Sequence, residues 1–201
     1  MRNTDKELPS ALKSMLLREE EFRREAVKIS AYLMAISART APKSKGEDDI
    51  EIVYIDGEEK EKLANEMIKI GKERNIHGFI RDGECVKKSE AVLILGVYGC
   101  KPIKLNCGAC GMSCEELERA EKIEGKDFRG PNCAFKLIDL GIAIGSAVKL
   151  ASIINVDNRI MYRIGTVARK LGYAKSDVVM GIPLASTGKN PFFDRMEQKK
   201  K

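Results

Sequence analysis

The sequence predicts an α/β (α+β) fold, one main sheet covered by helices, on three observations. Residues 91–97, AVLILGV, form a short continuous apolar run, the pattern of a strand buried on both faces. Residues 51–56 (EIVYID) and 178–185 (VVMGIPLA) are two further short runs rich in β-branched and other apolar residues. Longer stretches with apolar residues three and four apart alternate with these runs.

The elements follow in order. From Leu8 to about Ser37, Leu12, Met15, Leu16, Phe22, Ala26, Ile29, Leu33 and Ile36 recur at mostly helical spacing, which predicts one long amphipathic helix, or two in succession, with these residues as its apolar stripe. Residues 38–49, ARTAPKSKGEDD, have loop composition and separate it from the first strand. Asp56 then opens a helix with apolar positions Leu63, Met67, Ile68 and Ile70. Residues 78–88 read equally as a short helix or as a strand with a turn at Asp82-Gly83. After the central apolar run comes a cysteine-rich stretch, a short charged helix within 115–124 closed by Gly125, and a loop over 125–132. Residues 134–154 carry Gly141, Gly145 and Ser146 among apolar residues, which predicts a buried helix with close helix contacts. Asp157 is placed to cap a helix over 159–171 that ends at Gly172, before the last strand and a turn-rich end. The expected organisation is a single α/β domain over 1–201 with an inserted cluster-binding segment at 100–133.

Composition narrows the function classes. The net charge of +6 comes partly from the terminal MEQKKK, acidic and basic residues are interleaved elsewhere, and no basic face carries aromatics, so nucleic acid is not expected as a partner. No stretch approaches the roughly 20 apolar residues of a membrane span, and MRNTDKELPS lacks the apolar run of a secretory signal. A cytoplasmic location is expected. There, six cysteines point to metal or redox work instead of disulfides.

Cys107, Cys110 and Cys114 lie in CGACGMSC, where Gly108 and Gly111 can take positive φ and let the backbone wrap one centre with its amides aimed at sulfur. Cys133 is the natural fourth ligand because Pro131 and Asn132 set it at the mouth of a helix; Cys100 competes for that place. One C-x2-C extended by a third cysteine, with a distant fourth, is a ferredoxin-like arrangement that favours a [4Fe-4S] cluster, whereas structural zinc more often shows two such pairs. Zinc and free thiols stay open as alternatives. Cys85 stands alone and reads as a free or partly buried thiol.

Two other loops are candidates for holding a phosphate, as FMN or another nucleotide would need: Arg39, Lys43, Ser44 and Lys45, and Ser186, Thr187, Gly188 and Lys189. Each is balanced by the reading of an ordinary solvated loop. Asp157, Asn158 and Arg159 read as helix capping and ion pairing, and His77, the only histidine, as a surface residue. No Ser/His/Asp set, paired-carboxylate site or Walker loop can be assembled, and the catalytic residues stay unassigned.

Residues 106–133 resemble the small four-iron module of carbon monoxide dehydrogenase/acetyl-CoA synthase subunits and of electron-transport subunits, although in that module the second and third cysteines stand one residue further apart than Cys110 and Cys114 do. Through SARTAPKSKG at 37–46, DLGIAIGSAVKLA at 139–151, NVDNRIMYRIG at 155–165 and GIPLASTGKNPFFDR at 181–195, the chain is similar to the uncharacterised "ferredoxin domain-containing" (DUF2148-like) proteins of anaerobic archaea and bacteria. APKSKG after a helix, the small-residue helix at 141–151 and VVMGIPLASTGKNP also resemble flavin-dependent nitroreductases. The last likeness implies a nitroreductase-like scaffold, a homodimer, and FMN at the subunit interface. The combined expectation is an iron-sulfur redox protein that passes electrons to a flavin or small substrate or to a redox partner protein. The alternatives are a non-enzymatic electron carrier or accessory subunit, and a zinc-stapled structural protein.

Overall fold

A computed structural model of the chain describes residues 16–193. Its centre is β2 (Ala91–Val97), every residue of which is buried. β1 (Ile50–Asp56) pairs with it antiparallel along its full length on one edge, and β6 (Val178–Ala185) does so on the other. A two-residue strand, β5 (Asp157–Asn158), extends the far edge of β6, giving the order β1-β2-β6-β5; β3 (Ile123–Glu124) and β4 (Arg129–Gly130) pair as a separate hairpin, so the helix expected within 115–124 ends at Arg119 and is not closed by Gly125. All three apolar runs read as strands in the sequence are the three long strands observed.

Alternation along the strands sorts the side chains onto two faces. Ala91, Leu93, Leu95 and Val97 of β2, with Ile182 and Leu184 of β6, pack under α1 (Glu19–Thr40) and α5 (Ala134–Ile153). Val92 and Ile94, with Ile55 and Val179, pack under α2 (Gly57–Glu73), α3 (His77–Lys87) and α6 (Tyr162–Lys170). The result is a layered architecture with helices on both sides of one antiparallel sheet. The stretch left open at 78–88 is a helix, because Phe79 and Val86 are drawn into the second core beside Leu63 and Met67 of α2.

Two further expectations are corrected. The first helix is there from Glu19, but its buried residues are Val27, Ala31, Met34 and Ala38, while Phe22, Ile29, Leu33 and Ile36 are exposed. The helix meets α5 through small residues, which allow close approach, so its larger apolar residues point away. Leu12 and Met15 lie outside the described residues. The second correction concerns Asp157, which caps no helix: it lies in β5 opposite Ala185 and accepts a hydrogen bond from Asn190 Nδ2, and Met161 occupies the N-cap of α6.

α6 lies tight on β6. A Cβ on Gly165 would stand 1.7 Å from the Val179 carbonyl oxygen, and one on Gly181 would stand 2.0 Å from Ile164 Cγ2. Backbone meets backbone at Gly165, so nothing flexible can yield there. Gly165→Ala is expected to lower stability by about 1–3 kcal/mol, the usual cost of overpacking, seen as a lower urea midpoint at unchanged slope.

Candidate metal centre

After Val97 the chain leaves the sheet and builds the cysteine segment at the same end. Gly99 carbonyl oxygen accepts the Cys133 N–H at 2.7 Å, so the turn after β2 is bonded directly to the start of α5. Gly108 (φ 69) and Gly111 (φ 83) both adopt the left-handed conformation expected of them, and the Gly111 N–H closes the turn onto Gly108 oxygen at 2.9 Å. Asn106, itself at φ 51, donates its N–H to Cys114 Sγ at 3.1 Å and accepts the Cys114 N–H on Oδ1 at 3.0 Å. Ser113 caps α4 (Cys114–Arg119) in a capping box with Glu116.

The four thiols differ in setting. Cys107 is exposed, Cys110 and Cys114 are half-buried, and Cys133 is buried. Cys133 and Cys110 belong to one small apolar cluster with Ile103, Leu117 and Phe135. Cys133 is the N-cap of α5 yet makes no side-chain capping bond, which leaves its sulfur uncommitted at the positive end of a 20-residue helix. As a donor set, four thiols with a backbone N–H on one sulfur suit an iron–sulfur cluster or zinc. Among the described residues, no three Cys, His, Asp or Glu side chains stand in a metal-holding arrangement.

Cys100 is differently engaged. Its N–H goes to Asp177 Oδ2 at 2.8 Å, and its buried thiol is pushed up in pKa by burial and then by the Asp177 carboxylate. Cys85 is the buried thiol expected, its Sγ 3.4 Å from Pro191 oxygen and its pKa raised chiefly by burial. His77 is an exposed first residue of α3.

The two candidate phosphate loops stand at opposite ends of the sheet: Ile50 opens β1 opposite Val97, whereas Leu184, just before Ser186, pairs with Ala91. The first loop lies beside the cysteine segment and is held from within. Arg39 pairs with Asp48 at 2.7 Å, Lys43 donates to the Ala38 and Arg39 carbonyls that end α1, and Lys45 Nζ reaches Ile103 oxygen at 3.4 Å. Ser44 gives both its N–H (2.9 Å) and its hydroxyl (2.8 Å) to Asp139 Oδ1, while the other oxygen of that buried carboxylate has no partner. Ser186, Thr187, Gly188 and Lys189 are exposed; the Ser186 N–H goes to Glu90 and the Thr187 hydroxyl to Lys189 oxygen.

Several supporting residues escaped the sequence reading. Lys136, one turn into α5, is fully buried and pairs with Asp49 at 2.6 Å. Asp139 and Asp177 are likewise buried. Polar interruptions of an apolar helix were the one available signal for Lys136 and Asp139; their partners lie in distant segments.

The comparisons with known proteins bear on the family and the fold. Residues 129–195 match the family described as "uncharacterized protein containing a ferredoxin domain" (DUF2148). An uncharacterized protein of Archaeoglobus fulgidus is 56% identical over 186 residues, which cover 92% of this chain and all of that one. The chain belongs to this ferredoxin-domain family. Among solved structures, an FMN-containing oxidoreductase matches with a TM-score of 0.52 at 13% identity over 94% of this chain and 84% of the other. Nitroreductase CinD of Lactococcus lactis, in complex with nicotinic acid, gives 0.52 at 12% over 87% and 81%. Nitroreductase A of Vibrio parahaemolyticus gives 0.50 at 11%, covering 81% of this chain but only 60% of the Vibrio chain. At these identities the likeness is one of fold.

Asp49 yields a prediction about the support of the site. Burial pushes its carboxyl up, but the ammonium groups of Lys136 and Lys101 outweigh this and hold its pKa below the ordinary 3.8. A carboxyl lowered by folding stabilises the native state above its unfolded pKa and loses that contribution as pH falls through the lowered value. Lys136→Met takes away the closest cation of Asp49 but leaves Lys101 at 3.1 Å beside a partly buried carboxylate, and is expected to cost about 1–3 kcal/mol at pH 7. In urea titrations the gap from the parent protein should narrow as pH falls below 3.8; a gap constant with pH would refute the pairing.

Proposed function

We propose that the protein is a cytoplasmic iron–sulfur redox protein in which Cys107, Cys110, Cys114 and Cys133 hold one [4Fe-4S] cluster. The observation that carries this reading is the grouping of the donors along the chain: Cys107, Cys110 and Cys114 fall in one short segment with two left-handed glycines, and Cys133, at the start of α5, shares an apolar cluster with Cys110. Family membership supports the ferredoxin character, and six free thiols suit a reducing compartment. The bound cluster supplies one-electron transfer, and burial and amide hydrogen bonds such as that from Asn106 tune it. No helix among the described residues is long and apolar enough to cross a membrane.

Anaerobically purified protein should be brown, with broad absorption near ~400 nm that bleaches on reduction. Cys133→Ser should lose iron while Cys100→Ser keeps it. A colourless preparation holding one zinc per chain would sink the redox reading, and the reverse pattern in the two serine variants would move the fourth ligand to Cys100.

Electron delivery to FMN or a small substrate is the enzymatic form of this reading, supported by the fold. One observation favours the carrier form instead: Arg39, Lys43 and Ser44 are already engaged within the chain, and the second loop lies across the sheet from the cysteines. Copurified flavin, or flavin fluorescence quenched on titration with FMN, separates the two forms.

A homodimer through the outer faces of α1 and α5 belongs to the same proposal. Phe22, Ile29, Leu33 and Ile36 on α1 and Leu137, Ile138 and Ile142 on α5 are exposed, and Cβ atoms on Gly141 and Gly145 would meet nothing within 4 Å, which leaves room for a second helix to approach closely. Leu33→Glu combined with Ile138→Glu is expected to halve the mass seen by light scattering with an unchanged circular dichroism spectrum. An undiminished dimer would place the interface elsewhere.

A further inference from the structure

We infer that Asp177 is the positioning residue that holds the fourth thiol, Cys133, for the metal centre, an inference that rests on the proposed ligation by Cys133. Asp177 lies in the loop before β6 and is 1% exposed. Cys133 is bounded by two segments: the turn 98–100, whose Gly99 oxygen accepts its N–H, and residues 129–132 that lead into it. Asp177 bonds both. Its Oδ2 accepts the Cys100 N–H at 2.8 Å, and its Oδ1 takes the Arg129 guanidinium. The main chain repeats the pattern, with the Arg129 N–H donating to Asp177 oxygen at 3.1 Å and the Asp177 N–H to Val97 oxygen at 3.0 Å.

Asn132 completes the clamp between the two segments. Its Nδ2 donates to Arg129 oxygen at 2.7 Å, and its Oδ1 fills the space over Gly99, where a Cβ would come within 2.3 Å. The side-chain hydrogen bonds of Asp177 thus all go to the segments on either side of Cys133. A ligand contributed by a separate part of the chain must be held to a few tenths of an ångström, and outer groups of this kind set that precision. Removing the Asp177 charge leaves the Arg129 side chain only its longer pairing with Glu124 at 3.9 Å and loosens the Cys100 N–H contact while leaving every cysteine in place.

The test uses the full chain, reconstituted anaerobically with iron and sulfide. Asp177→Asn is compared with the parent and with Glu51→Gln, whose carboxylate accepts the Lys175 and Ser176 N–H groups at 2.9 and 2.8 Å and so steadies the same loop with no hydrogen bond to either segment beside Cys133. Iron release to a ferrous chelator should be about ten-fold faster in Asp177→Asn. The oxidised variant should also show the electron paramagnetic resonance signal of a three-iron cluster, the mark of a lost fourth ligand, whereas Glu51→Gln keeps the parental rate and spectrum.

Equal release rates in Asp177→Asn and the parent, or equal acceleration in both variants, overturn the inference while the cluster itself stands. A parent that binds no iron overturns the inference and the cluster together. If Asp177→Asn is unfolded by circular dichroism, Arg129→Gln removes the same ion pair from a side chain that is 37% exposed, and the same outcomes decide.

Discussion

The structure depends on β2 being closed to water on all sides. With helices on both faces, none of its backbone groups can turn to solvent, so each must find a partner in the sheet. β1 and β6 supply those partners along its whole length. Its side chains then divide by parity between two cores, Leu93 and Leu95 toward α1 and α5, Val92 and Ile94 toward α2, α3 and α6. A one-residue slip would exchange the two sets and put both cores out of register.

This constraint also positions the cysteines. The chain leaves β2 at Val97 and immediately bonds to the start of α5 through Gly99, while Asp177, just before β6, takes the next N–H at Cys100. The segment is therefore anchored where the central strands end, and the third apolar cluster, Ile103, Leu117 and Cys133, extends the protein at that end. Buried charges follow the same logic. Lys136 and Asp139 on α5 reach back to Asp49 and Ser44, tying the long helix to the loop that enters β1.

Legibility in the sequence varied with the range of the interactions involved. The three long strands, the left-handed glycines of the cysteine turn and the extent of the helix at 134–154 could be read because a continuous apolar run, a glycine between cysteines and an unbroken helix-length apolar stretch are local signals; the burial expected all round that helix is corrected, since only one face packs on the core and Leu137, Ile138 and Ile142 are exposed. The apolar stripe of α1 misled because its period was right but its direction was not: Val27, Ala31, Met34 and Ala38 face the core because small residues let α1 approach α5 closely. Asp157 looked like a cap because it precedes a helix, but pairing with Ala185 claimed its backbone first.

The sequence by itself determined the candidate donor set, since thiol number and spacing do not depend on the fold, and it determined the strands, whose apolar runs have few other places to go. It also carried the family likeness. Only the tertiary structure decided that the two phosphate-loop candidates lie at opposite ends of the sheet, that Cys100 is engaged with Asp177, and that Lys136 and Asp139 are paired across the core. These facts depend on which distant segments meet, and in a chain closed around β2 that is fixed by strand pairing and helix packing rather than by neighbours in the sequence.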